Sequence, residues 1–181
     1  MLRKFHRAAV LGAALSLTFT LAACSGGEER QQKYLERAQQ HFDAGNYDKA
    51  RVDIKNVLQI NPNNPQAYAL IAQVEEKKQN WQAVFANLNK SIELDPSNLA
   101  TTVKLAQMLL AAGFIEESKK RADRAFEMAP EAAEVLGLMA ALSLAQNDLQ
   151  QAEKYATQAL EKEPGQVGAA GVIVAIYADK E

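Results

Sequence analysis

The sequence predicts an all-α fold made of repeated helical hairpins. Four of the five prolines follow one another at intervals of 34 residues: Pro62, Pro96, Pro130 and Pro164. A fixed period of this length is typical of stacked-repeat proteins, in which each repeat is one supersecondary unit. Within a period the apolar residues are three and four positions apart, as in Ile54, Val57 and Leu58, which is helical spacing and not strand spacing.

Other positions recur with the same period as the prolines. Placing each proline at position 32 gives four repeats, at 31–64, 65–98, 99–132 and 133–166. Position 8 is alanine in every repeat, and position 28 is always large and apolar: Ala38, Ala72, Ala106 and Ala140, then Leu58, Ile92, Phe126 and Leu160. A small residue opposite a large one lets two helices approach closely. Each repeat is therefore predicted to be two packed helices, with the proline ending the second.

These positions resemble the tetratricopeptide repeat family over residues 31–166. In the first repeat the family pattern is matched by Ala38, Gly45, Tyr47, Ala50, Leu58 and Pro62. The resemblance implies a right-handed α-solenoid of tetratricopeptide helical hairpins that binds other proteins. Gln79 and Ser91 depart from the family, which usually has glycine and alanine at these positions, so a slightly altered turn is expected in the second repeat.

The first 23 residues have the features of a signal peptide. Arg3, Lys4 and Arg7 precede an apolar run at 8–21. This run is shorter than the roughly 20 apolar residues that a membrane-spanning helix needs. A removable export signal is therefore predicted at 1–23, and not a permanent anchor.

Cys24 is predicted to carry a lipid. Leu21-Ala22-Ala23-Cys24 resembles the lipobox of bacterial lipoproteins, in which the cysteine is lipidated and becomes the mature N-terminus. Acyl chains hold a soluble domain on a bilayer without a spanning helix. Ser25 stands where inner-membrane retention usually has Asp, so the resemblance implies an outer-membrane lipoprotein facing the periplasm. An ordinary secretory signal with a chance cysteine is the alternative. Residues 24–30 are predicted to form a flexible tether.

Residues 167–181 are in register with the first helix of an incomplete fifth repeat. The stretch at 167–178, VGAAGVIVAIYA, has almost no polar face. A helix that is apolar on all sides must be buried, so further repeats, a partner protein or a second copy of the chain are predicted to cover it. The alternative is that one face packs on the fourth repeat and the remainder stays exposed.

The resemblance also implies a binding groove along the first helices of the repeats. Its predicted residues occupy positions that share one side of a helix: Gln32, Leu35, Gln39, Phe42, Gln66, Ala69, Gln73, Val103, Gln107, Leu110, Ala141 and Leu144. The set changes from amide-rich to apolar along the chain, which favours a polypeptide ligand. The carboxylate clamp of chaperone-binding members is not predicted, because only Lys104 agrees with it. Packing of the apolar end on later repeats is the alternative.

Charge and composition exclude several classes of function. Removing 1–23 takes away three basic residues and leaves 17 basic and 22 acidic side chains, a net charge of −5, so nucleic acid is not an expected partner. One cysteine and two histidines predict no disulfide, metal or cofactor. No phosphate loop, HExxH or GxSxG motif occurs. Glu75–Glu76 and Glu116–Glu117 are expected at the surface and His41 packed or half-exposed, so the chain is predicted not to be an enzyme.

The function predicted from the sequence is a membrane-anchored scaffold. Such a protein would mediate protein–protein interactions in a bacterial envelope assembly, export or surface-polysaccharide system. The lipobox followed by repeats is weakly similar to the start of the long tetratricopeptide lipoproteins associated with exosortase and exopolysaccharide loci. Two alternatives are the targeting module of a longer enzyme and a cell-wall or polysaccharide binder.

Overall fold

The computed structural model describes residues 26–178. The predictions for the signal peptide, for Cys24 and Ser25, and for the last three residues lie outside the described residues. Over 26–178 the chain forms helices and turns and no strand, which confirms the all-α fold. The helices are α1 (26–43), α2 (Tyr47–Ile60), α3 (Pro65–Lys77), α4 (Trp81–Leu94), α5 (Leu99–Ala111), α6 (Ile115–Met128), α7 (Ala133–Ala145), α8 (Leu149–Lys162) and α9 (Val167–Ala178).

The second helices begin and end with the period of the prolines. They begin at Tyr47, Trp81, Ile115 and Leu149, and each is 14 residues long. Where the residue before the proline is described as a helix cap, it leaves helical geometry: Asn61, Ala129 and Glu163 have φ of −134°, −151° and −143°. The proline ring clashes with a helical preceding residue, so it ends the helix there.

The turn from the first to the second helix contains a residue with left-handed backbone geometry. This residue is Gly45, Gln79, Gly113 or Asn147, with φ between 58° and 83°. A left-handed residue is a common way to end a helix. The prediction of an altered turn at Gln79 is wrong. Gln79 adopts the same left-handed conformation (φ 58°) as the glycines at this position, although it has a side chain.

The chain divides into two compact parts, one up to residue 80 and one from residue 81. In the N-terminal part, α1, α2 and α3 share one apolar core, which consists of Ala38, Ala50, Ile54, Val57, Ala67, Leu70 and Val74. The start of α1 differs from the predicted flexible tether, since residues 26–30 are helical. Lys33 pairs with Glu29 at 2.8 Å and Arg30 Nε donates to the Gly26 carbonyl at 2.9 Å, so contacts four residues apart support this first turn.

In the C-terminal part, which contains α4–α9, the helices α5–α9 form two apolar clusters. One cluster joins α5, α6 and α7 and includes Ala106, Ala122 and Leu138. The other joins α7, α8 and α9 and includes Ala140, Ala156 and Val172. Rings of Phe126 and Tyr155 meet edge to face at 5.9 Å between centroids and so connect α6 to α8.

Helix α9 buries one face only. Ala169, Val172 and Ile176 are in the cluster shared with α7 and α8, whereas Val167 is 84% exposed and Val174 is 67% exposed. The alternative prediction, one face packed on the fourth repeat, describes this arrangement. Val174 stands at position 8, where the four preceding repeats bury an alanine. A partner, further repeats or a second copy over the exposed face stays a prediction.

Candidate peptide-binding face

The predicted groove residues of the N-terminal part divide into exposed amides and half-buried apolar groups. Gln32 and Gln39 on α1, and Gln66 and Gln73 on α3, are exposed. Leu35, Phe42 and Ala69 are half-buried. Leu35 and Phe42 pack against the core that α1 and α3 share. The surface formed by these seven residues is called the amide face below.

Neighbouring carboxylates orient two of the glutamines. Gln32 Nε2 donates to Glu36 Oε1 at 2.9 Å, and Gln39 Nε2 donates to Asp43 Oδ1 at 2.8 Å. A glutamine amide has two N–H donors and a carbonyl acceptor, so one bond leaves each with capacity for both roles. A peptide backbone needs a donor and an acceptor from its binding site, and these side chains offer both.

Phe42 has a structural role at the end of α1. Its ring lies 5.6 Å from that of Tyr47, the first residue of α2, at an interplanar angle of 55°. This tilted contact fixes the end of α1 against the start of α2. Phe42 therefore supports the amide face and exposes little ring surface of its own.

In the C-terminal part the predicted residues form an apolar surface, with one correction. Gln107 is exposed, and Leu110, Ala141 and Leu144 are half-buried. Val103 was wrongly predicted to line the groove, since it is only 3% exposed and lies in the core with Val135 and Leu138 of α7. Because α7 covers this turn of α5, position 5 of the third repeat belongs to the core.

A glutamine side chain occupies part of the surface on α7. A Cβ atom built on Gly137 would lie 2.5 Å from Gln166 Nε2, so the Gln166 amide rests against the bare backbone of Gly137. Gln166 Oε1 also accepts the N–H of Ala169 and so caps the start of α9. Sequence patterns gave no signal for this contact, which depends on the absence of a side chain.

Two buried carboxylates in the N-terminal part also escaped the sequence analysis. Arg37 Nε donates to Asp53 Oδ2 at 2.7 Å and its Nη2 donates to Oδ1, which joins α1 to α2. Glu75 was expected at the surface but is 2% exposed; it accepts from Arg51 of α2 and from Asn80 Nδ2 at 3.0 Å. Each carboxylate has its counter-ion, so these groups are structural cross-links between helices.

Asp53 is the carboxyl group whose titration reports on this network. Hydrogen bonds from the Arg37 guanidinium hold the pKa of Asp53 below its usual range, and burial opposes this effect. His41 is half-buried, as predicted, and its Nε2 lies 3.8 Å from Asp53 Oδ2. The arrangement stabilises a charged carboxylate.

Comparison with known proteins relates part of the chain to a known family. The model described as "Tetratricopeptide repeat" matches residues 103–169. The segment 103–169, which contains α6, α7 and α8, is similar to tetratricopeptide repeats. No curated protein matches the chain's sequence.

Solved structures with similar repeats support the assignment of the fold. PilF of Pseudomonas aeruginosa superimposes with a TM-score of 0.74 and 21% identity over 86% of this chain and 71% of that one. YrrB, described as a tetratricopeptide protein with an unusual peptide-binding site, has a TM-score of 0.64 and 14% identity over 83% and 75%. The O-GlcNAc transferase of Thermobaculum terrenum has a TM-score of 0.64 and 20% identity over 75% of this chain but only 26% of that one.

The similar structures show that the chain has the fold of tetratricopeptide proteins. Over residues 26–178, no three His, Cys, Asp or Glu side chains are grouped so that they could hold a metal ion. In the same range, each helix is too short or too polar to cross a membrane.

Proposed function

We propose that this chain is a lipid-anchored tetratricopeptide scaffold that binds other polypeptides of a bacterial envelope assembly. The observation that carries the proposal is the amide face, where Gln39 and Gln73 stand exposed at the same position of successive repeats. Exposed amides in a regular row suit a ligand that is itself a regular row of amides. A polypeptide backbone is such a ligand.

The chemistry of the amide face supports a polypeptide over a sugar or a phosphate. Phosphate recognition relies on cations or helix N-termini, whereas the exposed predicted residues here are neutral glutamines. A polysaccharide binder would present exposed rings along this face, but Phe42, the one aromatic residue among the seven, packs against Tyr47. The peptide-binding site named for YrrB is a further reason to propose a peptide ligand.

The membrane part of the proposal depends on the lipobox at residues 21–24. Lipidation of Cys24 would place the repeats at a bilayer, and Ser25 favours the outer membrane and the periplasm. Export and surface-polysaccharide systems are the envelope systems that we propose it serves. Replacing Cys24 by Ser should abolish labelling by a palmitate analogue and release the protein from the membrane fraction; unchanged membrane retention of Cys24→Ser would contradict the anchor.

A site-specific photocrosslinker tests the amide face. A benzophenone amino acid at position 73 should give a discrete protein adduct in intact cells, identified by mass spectrometry. The same group at Gln59 is the matched control, because Gln59 is an exposed glutamine on the second helix α2. Equal adducts at both positions, or none at position 73, would contradict a binding role for this face.

A second candidate function is the targeting module of a longer enzyme. The fold similarity to an O-GlcNAc transferase, of which this chain covers 26%, supports this second candidate. The genomic sequence that follows residue 181 separates the two. More repeats support the scaffold, and a non-repetitive domain supports the enzyme.

A further inference from the structure

A groove lies between the second helices α4 and α6, away from the residues predicted to bind a ligand. Its volume is about 460 Å³, and it is lined by Phe85, Asn89, Leu109, Glu117, Lys120, Arg121 and Arg124. All of these residues belong to the C-terminal part of the chain. The groove is called the α4–α6 groove below.

The floor of the α4–α6 groove is apolar. Leu109 of α5 lies at its base and is 4% exposed, while Phe85 of α4 remains 39% exposed. A half-exposed aromatic ring beside a buried leucine can contact one more apolar side chain. The floor therefore favours a ligand with an apolar group over one that is charged throughout.

The rim of the groove carries three cations. Arg121 Nη2 donates to Asn89 Oδ1 at 3.4 Å, and Arg124 Nη2 donates to the Pro96 carbonyl at 2.8 Å. Both arginines thus reach from α6 towards α4 and its following turn. Since a guanidinium has five N–H donors, each keeps donors for a second acceptor. Lys120 is exposed on the same face of α6.

The three cations lack carboxylate partners within the described part of the chain. Their neighbours are paired: Lys119 with Asp123 at 2.6 Å, and Lys90 with Glu93 at 2.9 Å. By contrast, Lys120, Arg121 and Arg124 form no ion pair among residues 26–178. Glu117 is the one acidic residue of the lining. The groove is therefore a local positive site on an acidic protein.

We propose that the α4–α6 groove binds an acidic segment of a partner polypeptide. Its carboxylates would bind Lys120, Arg121 and Arg124, and an apolar side chain would contact Phe85 and Leu109. Bidentate hydrogen bonding of arginine to carboxylate supplies specificity. Nucleic acid fits less well, because the floor is apolar and the chain as a whole has a charge of −2. The proposal for this groove does not depend on the proposed function of the amide face. It would stand even if that face bound no ligand.

Fluorescence anisotropy with synthetic peptides tests the proposal on the full chain in a non-ionic detergent. The probe is a labelled 12-residue peptide with two leucines among glutamates and serines; a second peptide replaces each glutamate by lysine. We expect the acidic peptide to bind at least about tenfold more tightly than the basic one, and we expect its affinity to fall at high salt. Equal binding of both peptides, or no binding of the acidic one, would overturn the proposal.

Matched variants place the binding in the groove. Lys120→Glu should weaken binding of the acidic peptide about tenfold or more, since it reverses a charge at the rim of the groove. Lys154→Glu is the control, because Lys154 is an exposed lysine 34 residues later on α8. Phe85→Ser should weaken binding without changing its salt dependence. Equal losses in Lys120→Glu and Lys154→Glu, or tighter binding of a labelled single-stranded DNA, would refute a peptide site here; circular dichroism verifies that each variant is folded.

Discussion

Gln166 lies against Gly137, at a position that a side chain on α7 would occupy. A Cβ atom at residue 137 would lie 2.5 Å from Gln166 Nε2. The same glutamine accepts the Ala169 N–H at the start of α9. The glycine in the middle of α7 thus makes room for the residue that caps the next helix.

Gly137→Ala should therefore change the dynamics of α9 more than the global stability. The alanine displaces the Gln166 amide and removes a cap worth about 1 kcal/mol, while α7 gains about as much in helix propensity. Hydrogen exchange should accelerate in the first turn of α9, with the urea midpoint nearly unchanged. Gln166→Ala is the control, which should accelerate the same amides and also lower the midpoint. Unchanged exchange in Gly137→Ala would show that the cap does not need the glycine.

Gln79→Gly should stabilise the chain. Gln79 holds φ at 58°, a conformation that costs a residue with a Cβ atom about 1–2 kcal/mol. Glycine removes this strain but adds freedom to the unfolded chain, so we expect a net gain of about 0.5–1 kcal/mol in unfolding free energy. Asn147→Gly, at the equivalent turn, should gain less because asparagine tolerates this conformation. A loss of stability in Gln79→Gly would mean that its side chain makes a favourable contact.

Asp53 should make the stability depend on pH at the acid end. Its pKa is lowered in the fold, so its contribution is fully present above the unfolded pKa, about 3.9, and is lost as the pH falls through the lower folded value. Asp53→Asn should cost about 1–2 kcal/mol at neutral pH, since Arg37 is partly exposed to solvent. Urea denaturation should show this difference shrinking below about pH 4. Asp123→Asn, which breaks a half-exposed pair with Lys119, should have little effect at any pH.

The two faces of α9 should respond differently to the loss of side-chain volume. Ile176 is 2% exposed and packs on α7 and α8, so Ile176→Ala should cost about 2–4 kcal/mol in the docking of this helix. Val174 is 67% exposed, and Val174→Ala should change stability by less than about 0.5 kcal/mol. Hydrogen exchange over α9 measures both. Strong protection loss in Val174→Ala would indicate that something covers the exposed face.

The helices could be predicted from the sequence because each depends on local rules that recur. The residues before Pro62, Pro130 and Pro164 leave helical geometry for steric reasons, and the apolar spacing specifies helix rather than strand. The left-handed conformation of Gln79 was not predicted, because it is disfavoured for a residue with a Cβ atom.

The details of the binding surfaces depend on contacts between distant residues. Val103 follows the same register as the half-buried groove residues Leu35 and Ala69, and only the covering helix α7 makes it a core residue. From the sequence alone Glu75 is expected at the surface, because its partner Arg51 lies 24 residues earlier and only the fold places the two side chains together. The α4–α6 groove combines residues of three helices, and no periodic pattern in the sequence predicts it.

The helical start of α1 determines how far the scaffold can reach from a lipid on Cys24. Only two peptide links join Cys24 to Gly26, a span of at most about 7 Å. Gln32 and Gln39 would then lie about 9 and 20 Å along the helix from its first residue. With a lipid on Cys24, such a short connection would keep the amide face close to the headgroups, so its ligand would have to be present near the membrane surface.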